Sequence, residues 1–318
     1  MDDPVVLARP GRGVHVSDPR FSESPVAAAL FAERDRARVD RMWRGVRRLA
    51  AIGALLTFCV LVLAAAMRLQ AAGIGCSPWP ACRDAAIAAP TETPLWIRLS
   101  HRIAATIVSL CSLGIVFVAF RRAPHARLPR VRAVLALIGV GVLAVLGRAS
   151  GAGAAPIVSF TNLVGGLALL GAFVSMAMAR PYRDAGPVDR VVGRTAFGIV
   201  ATIVAGGVVS TYGLASACAD GVLCGGALHD VRAWGVLVHR VAGVALVPWL
   251  LVLGAREWRR GTGWSWATVL AVVVTAQAVV GVVQSSAGFP YAVAVAHHAL
   301  AAVLLASTLV WVENRRRW

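Results

Sequence analysis

Two His-Arg pairs recur in apolar surroundings along this chain, in the strings SHRIAATIVSL and VHRVAGVALVP. Their histidines, His101 and His239, stand 138 residues apart in a chain of 318 residues. A third histidine, His297, lies in a later apolar segment. Because histidine is costly in hydrocarbon, its recurrence inside membrane segments predicts a functional site. The chemistry that imidazole suits there is coordination of a metal, above all heme iron.

All three histidines lie at a similar depth in the membrane, and two of them, His239 and His297, belong to the same half of the chain. His239 and His297 each lie about seven or eight residues inside their segments, which is roughly 10 Å at 1.5 Å per residue. Equal depth lets two imidazoles face each other across a flat cofactor between helices, which predicts ligation of heme iron by this pair. A histidine hydrogen-bonded between helices is the structural alternative. Zinc is disfavoured because no third or fourth ligand lies at that depth.

His298 competes with its neighbour for the same role. Adjacent helix positions point about 100° apart, so only one of the two imidazoles can face a cofactor. The arginines that follow the other histidines, Arg102 and Arg240, are candidates to bind anionic heme propionates, with Arg68 a weaker candidate. A snorkelling arginine at the membrane interface is the alternative for each.

Four cysteines form two pairs with the same spacing. Cys76 and Cys82 have five residues between them, as do Cys218 and Cys224. Prolines around the first pair favour a turn-rich loop that a disulfide can close. We expect a disulfide in each pair on the oxidising side of the membrane, with a redox-active thiol pair as the alternative.

The elements that position these residues are membrane-spanning helices. Apolar residues make up 58% of the chain and the mean hydropathy is +0.72, which is too apolar for a soluble protein of this size. Stretches of about 20 apolar residues predict an all-α integral membrane protein with eight spans. The spans are predicted at 46–68, 95–119, 131–149, 156–179, 194–216, 231–254, 265–286 and 290–312.

The net charge of +17 follows the spans. Arginines cluster before the first span, in alternate connections and at the end of the chain, and the other connections are nearly free of them. This is the positive-inside pattern, which predicts that both termini are cytoplasmic. A nucleic-acid partner is excluded because the charge forms no continuous face. The lipid bilayer is the expected environment.

The sequence indicates an internal duplication. The cysteine pairs, the His-Arg strings, and NLVGGLALL against HHALAAVLL recur with offsets of 142, 138 and 135 residues. Four spans per half predict two tandem four-helix bundles related by a pseudo-two-fold axis along the membrane normal. The alignment places Asn162 opposite His297, which favours His297 over His298. The predicted parts are a polar, disordered or loosely helical tail at 1–45, a bundle at 46–180, a linker at 181–193 and a bundle at 194–318.

These residues together resemble the heme A synthase family. The most specific segments are MRLQAAGIGCSPWPAC, the two His-Arg strings and the final VVQSSAGFPYAVAVAHHALA. The resemblance implies a bacterial-type plasma-membrane protein of the respiratory chain, with heme b held between His239 and His297. It implies heme O as substrate in the N-terminal half, where a ring methyl is oxidised through an alcohol to a formyl group. The disulfides would lie near that site.

The resemblance also implies partners, and the chain departs from the family pattern at two positions. Besides heme O, the partners are the synthase that makes it and an electron donor that no motif identifies; the oligomeric state stays open. The family pattern has Glu-x-x-His-Arg before His101, and here Arg98 stands in place of that glutamate. Asn162 stands where a second histidine is expected.

Three readings follow from these departures: an enzyme with an altered site, a degenerate heme-binding relative, or an electron-transfer or heme-handling protein with heme only in the C-terminal half. A transporter is disfavoured because the polar residues gather toward one face instead of the midplane.

Overall fold

The computed structural model describes residues 25–89, 92–122, 127–150, 155–179, 187–218, 223–224, 229–262 and 264–316. Within these ranges the regular structure is helical, without strands, as predicted. The α-helices are α1 Pro25–Ala71, α2 Arg83–Ala88, α3 Leu95–Arg122, α4 Arg127–Ala149, α5 Pro156–Met178, α6 Arg190–Thr211, α7 Val231–Glu257, α8 Trp266–Ser286 and α9 Tyr291–Arg315. A 3₁₀ turn spans Leu214–Cys218, and a π turn follows α7 at Trp258–Thr262.

Eight of the described helices, all except α2, are long and apolar enough to cross a membrane, which confirms the predicted number of spans. Helix α1 begins at Pro25. Part of the segment assigned to the polar tail, 25–45, is therefore helical and continuous with the first span. Residues 1–24 and 181–186, which include the first part of the predicted linker, lie outside the described residues.

The surface of the helices is apolar where lipid would contact it. On α3 the side chains of Leu99, Leu110 and Phe117 are more than half exposed, and so is Leu135 on α4. A soluble protein does not leave so large a contiguous apolar surface in water. These faces match hydrocarbon, so the chain is a multi-pass membrane protein.

Each half of the chain forms a closed ring of four helices. In the first half α1 packs against α3 and α5, while α4 packs against both α3 and α5. In the second half α6 packs against α7 and α9, while α8 packs against both α7 and α9. The same cyclic order in both halves fits the predicted pair of bundles. Each ring has its own core, around Phe173 and Ile115 in the first and around Leu250 and Leu270 in the second.

The two halves meet along α9, which lies against α1 and α5, and along α5, which also contacts α6. Leu170, Val174, Ala302 and Leu305 form the apolar part of this junction. We call the end of the bundle that carries the cysteine pairs the disulfide end. There the Tyr291 hydroxyl donates a hydrogen bond to the Ala66 carbonyl at 3.0 Å.

An aromatic contact adds to the junction at the disulfide end. Trp79, from the loop after α1, packs on Phe289, from the loop before α9, with ring centroids 4.2 Å apart. Gly75 in the same loop has a φ of +92°, and a Cβ there would lie 2.8 Å from the Cβ of Tyr291. Glycine is therefore required for this close approach. The N-terminal loop thus lies across the boundary between the two bundles.

Candidate functional site

A cavity of about 220 Å³ lies between the two halves, and we call it the junction cavity. Its walls come from α1 and α5 of the first half and from α6, α7, α8 and α9 of the second. Most of the lining is aliphatic. Its charged or titratable side chains, among the described residues, are Arg68, Arg83, Arg240, His239, His297 and His298, and no Asp or Glu lines it.

His239 projects from α7, whose start is fixed by a helix cap. The Asp230 carboxylate accepts a hydrogen bond from the backbone N–H of Arg232 at 2.8 Å, which satisfies one free donor of the first turn. His239 follows about two turns later. Its Nδ1 lies 3.1 Å from the carbonyl oxygen of Thr202 on α6. Because a carbonyl only accepts, Nδ1 carries the hydrogen, and Nε2 of the neutral ring keeps its lone pair.

His297 stands opposite, about two turns into α9. The ring centroids of His239 and His297 are 6.4 Å apart and the rings are perpendicular. The Nε2 of His297 lies 3.3 Å from the Gln277 amide nitrogen on α8, while its Nδ1 is buried without a hydrogen-bond partner. This nitrogen is one of the few buried polar atoms that the protein leaves unsatisfied.

The separation of these imidazoles suits one metal ion between them. Bonds of about 2.0–2.1 Å to imidazole nitrogen, plus roughly 1.1 Å from nitrogen to ring centre, place the centroids of two opposed ligands about 6.3 Å apart. The observed distance is 6.4 Å. Among the described residues no three His, Cys, Asp or Glu side chains gather as a metal-binding group, so the donor set here is two imidazoles. That set is one that heme iron accepts.

Glycines on neighbouring helices make room for both rings. A Cβ at Gly206 on α6 would lie 2.6 Å from Cε1 of His239, and a Cβ at Gly281 on α8 would lie 3.1 Å from Cε1 of His297. Each ring therefore occupies the space of a missing side chain. The residues present fit a heme held through two histidines.

His298 is engaged by the protein itself. Its Nδ1 donates to the Ala294 carbonyl at 2.9 Å, and its Nε2 lies 3.1 Å from the Ser210 hydroxyl, from which the neutral ring accepts. Both nitrogens are thus satisfied. His297, by contrast, makes a single hydrogen bond, which its Nε2 accepts from the Gln277 amide. Its Nε2 lone pair could bind iron in place of that amide, and this difference favours His297 as the ligand.

The three arginines that line the junction cavity differ in their contacts. Arg240 is held by the second cysteine loop, with its Nη1 3.8 Å from Cys224 Sγ and its Nη2 3.5 Å from the Cys218 carbonyl. The Nε and Nη2 atoms of Arg68 are buried without a hydrogen-bond partner. Arg83 reaches across from α2 to the loop after α6, where its Nη2 would lie 2.7 Å from a Cβ at Gly213.

Four candidate residues of the N-terminal half, Arg98, His101, Arg102 and Asn162, are not among the residues that line the junction cavity. His101 is half-buried on α3. Arg98 pairs with Glu92 at 3.9 Å, and with Arg102 it borders a separate depression. The Asn162 amide donates to the Ser150 hydroxyl at 3.5 Å. The structure therefore brings His239, His297, Arg240 and Arg68 together, and leaves these four residues apart from them.

Both cysteine pairs are joined as disulfides, Cys76 to Cys82 and Cys218 to Cys224. The loop closed by the first carries Trp79, which lines the junction cavity. This loop, from the first half of the chain, thus covers a cavity whose two facing histidines come from the second half.

Several residues of the site carried no signal in the sequence. Gly206, Gly281 and Gln277 belong to apolar helices where nothing marks them as neighbours of a histidine. Arg68 did carry a signal, since a charged residue near the end of a span is costly and points to a function. Its place beside residues of the other half depends on tertiary packing.

Comparison with known proteins identifies the family that this chain matches. The family model COX15-CtaA, described as a cytochrome oxidase assembly protein, matches residues 47–309. Two curated proteins from strains of Bacillus cereus, both named heme A synthase, are each 24% identical to this chain over 288 residues. The matches cover 83% of this chain and 91% of each relative.

Proposed function

Because this chain belongs to the COX15-CtaA family of cytochrome oxidase assembly proteins, we propose that it is a membrane oxidoreductase that converts heme O to heme A. The relatives named heme A synthase support this reaction. The reaction turns a ring methyl into an alcohol, with oxygen from water, and then into a formyl group. Each step releases two electrons and two protons, and the electrons pass to an acceptor outside this chain. The observation that carries the proposal is the pair of imidazoles of His239 and His297, whose ring centroids are 6.4 Å apart in the junction cavity between helices.

In this proposal His239 and His297 hold heme b. When bound, that heme supplies one-electron transfer. The Thr202 carbonyl keeps the hydrogen of His239 on Nδ1, which leaves Nε2 available to iron. The Gln277 amide donates to Nε2 of His297, and iron would take the place of that donor. Trp79 and Phe289, in contact with each other, contribute apolar surface to the disulfide end of the cavity.

Heme O is proposed to bind in the N-terminal half, near His101 and Asn162, with Arg102 as a partner for its propionates. The positive-inside distribution of arginine supports cytoplasmic termini and an outward disulfide end, where disulfides persist. The relatives are bacterial, so the proposed location is a bacterial plasma membrane.

A second candidate, a heme-binding or electron-transfer protein without the oxidation, is favoured by one observation. Arg98 occupies the position at which the family resemblance places a glutamate, and it pairs with Glu92 at 3.9 Å. A guanidinium in place of a carboxylate cannot accept a proton from substrate at neutral pH.

The test is to purify the protein after co-expression with a heme O synthase, extract its heme and identify it by chromatography and mass. Heme A or the alcohol intermediate supports the oxidoreductase, whereas heme b alone with heme O unchanged supports the second candidate. We expect His239→Ala and His297→Ala each to abolish the absorption spectrum of heme with two histidine ligands. His101→Ala, as the matched variant, keeps that spectrum and loses conversion. An unchanged spectrum in both ligand variants refutes the ligand assignment.

A further inference from the structure

Three buried hydrogen-bond donors that the N-terminal half contributes to the junction cavity have no partner among the described residues. They are Nε and Nη2 of Arg68 and the indole Nε1 of Trp79. Both side chains line the cavity, and both come from the N-terminal half. Nearly all buried donors in folded proteins are satisfied, so a cluster of unsatisfied ones indicates a ligand that completes them.

The charge of the cavity indicates what kind of ligand this is. Arg68, Arg83 and Arg240 line the cavity, and among its described lining residues there is no carboxylate to neutralise them. A buried guanidinium without a counter-charge is strongly unfavourable. Arg240 is already engaged by the second cysteine loop. The Arg68 guanidinium therefore calls for an anion from outside the chain.

The geometry of the donors points to a carboxylate. A guanidinium presents N–H groups that match the two oxygens of a planar anion, and the indole of Trp79 offers one further N–H from the loop that follows α1. The remaining lining is aliphatic, which suits the apolar body of a large planar ligand. A large planar apolar ligand that carries a carboxylate would pair with the arginine and pack against the aliphatic lining at the same time.

We infer that Arg68 and Trp79 bind a carboxylate of the heme that His239 and His297 ligate. The inference rests on the proposed function. The N-terminal half then supplies the anion-binding wall of a cavity whose metal ligands come from the C-terminal half. Neither bundle alone forms the complete site.

The structure fixes both donors in place before a ligand binds. Trp79 packs on Phe289, and its loop is closed by the Cys76–Cys82 disulfide. The end of α1 that carries Arg68 is attached to α9 through the hydrogen bond from Tyr291 to Ala66. Donors that are already positioned bind an anion without the entropic cost of ordering their side chains.

The test compares Arg68→Gln and Trp79→Phe in the full-length protein, reconstituted in nanodiscs of phosphatidylcholine alone. Glutamine removes the charge, and phenylalanine keeps the contact with Phe289 but removes the N–H. Arg148→Gln and Trp96→Phe are matched controls, because both parent residues are exposed on the surface. The readouts are heme retained per protein and the midpoint potential of the bound heme.

We expect Arg68→Gln to shift the reduction equilibrium toward ferric heme about tenfold, which is about 59 mV for one electron, and to weaken heme retention. Trp79→Phe shifts the reduction equilibrium in the same direction but by a smaller factor, and both control variants match the wild type. Heme dimethyl ester, which lacks free carboxylates, binds wild-type apoprotein at least tenfold more weakly than heme. With Arg68→Gln that discrimination falls below threefold.

Equal binding of heme and its dimethyl ester by the wild type would overturn the inference. So would an Arg68→Gln effect that appears only when anionic lipid is added, since the anion would then be a lipid headgroup. Potentials and retention in Arg68→Gln that match Arg148→Gln refute the inference alone and leave the ligand pair standing. Absence of heme from the wild-type protein refutes the proposed function as well.

Discussion

Gly206 offers the sharpest test of how the site is built. It lies on α6 behind the imidazole of His239, and a Cβ added there would meet Cε1 at 2.6 Å and both ring nitrogens at 3.2 Å. Non-bonded carbon atoms rest at about 3.5–4.0 Å, so the ring of a Gly206→Ala variant must move by about 1 Å. Metal–ligand distances tolerate only about 0.2 Å. The movement also breaks the 3.1 Å hydrogen bond to Thr202.

We therefore expect Gly206→Ala to convert a six-coordinate, low-spin heme spectrum into a five-coordinate, high-spin one, with partial loss of heme. The helix itself gains, because alanine is favoured over glycine in a helix interior by about 0.8–1.0 kcal/mol. The defect is therefore local to the ring and does not come from unfolding of α6. Circular dichroism in detergent checks that helicity is retained.

Two other glycines provide a graded comparison. A Cβ at Gly281 would lie 3.1 Å from Cε1 of His297, so Gly281→Ala perturbs its ligand less. A Cβ at Gly139 on α4 meets nothing within 4 Å, so Gly139→Ala keeps the wild-type spectrum. A Gly206→Ala protein with the wild-type spectrum and full heme content would show that His239 is not confined as the structure indicates, and would refute the reasoning.

Three further predictions concern the rest of the chain. The four cysteines of the disulfide end become alkylated in intact protein only after reduction; labelling of all four without reductant, read by mass spectrometry, contradicts the disulfides. The hydrogen bond from Arg232 holds the pKa of the Asp230 carboxyl below its ordinary 3.8, so its stabilisation is full above that pH and fades as pH falls through the lower folded pKa. The thermal unfolding temperatures of Asp230→Ala and the wild type therefore converge at low pH. An equal difference between the two temperatures at every pH would contradict this prediction. Trp249→Phe loses the 2.9 Å hydrogen bond to Thr195 and costs about 0.5–1.5 kcal/mol in chemical denaturation, a loss that an unchanged midpoint would contradict.

The fold could be predicted from the sequence because its signals are local. Each span is a run of apolar residues, and the duplication repeats cysteines and histidines at nearly constant offsets. The start of α1 could not be predicted. The segment 25–45 is too polar to be recognised as part of a span, yet it forms the N-terminal part of the helix that contains the first span.

The histidine pair could also be predicted, because depth within a helix follows from counting residues. The wall of the junction cavity that comes from the N-terminal half could not be predicted from the sequence. Arg68 and Trp79 meet His239 only because α9 packs against α1, and no sequence period encodes a contact between two different bundles. For the same reason the Cys76–Cys82 loop was expected near a site in its own half, and its tryptophan in fact lines the junction cavity.

The contact of α9 with α1 has a consequence for biogenesis. The first helix leaves the ribosome long before the last, and at 5–20 residues per second the delay is on the order of tens of seconds. During that interval Ala66 lacks the tyrosine that later bonds to it, and His239 lacks its opposite imidazole. If heme is held by both imidazoles, as proposed, it can bind only after the eighth span has been made, and chains truncated before that span would lack heme.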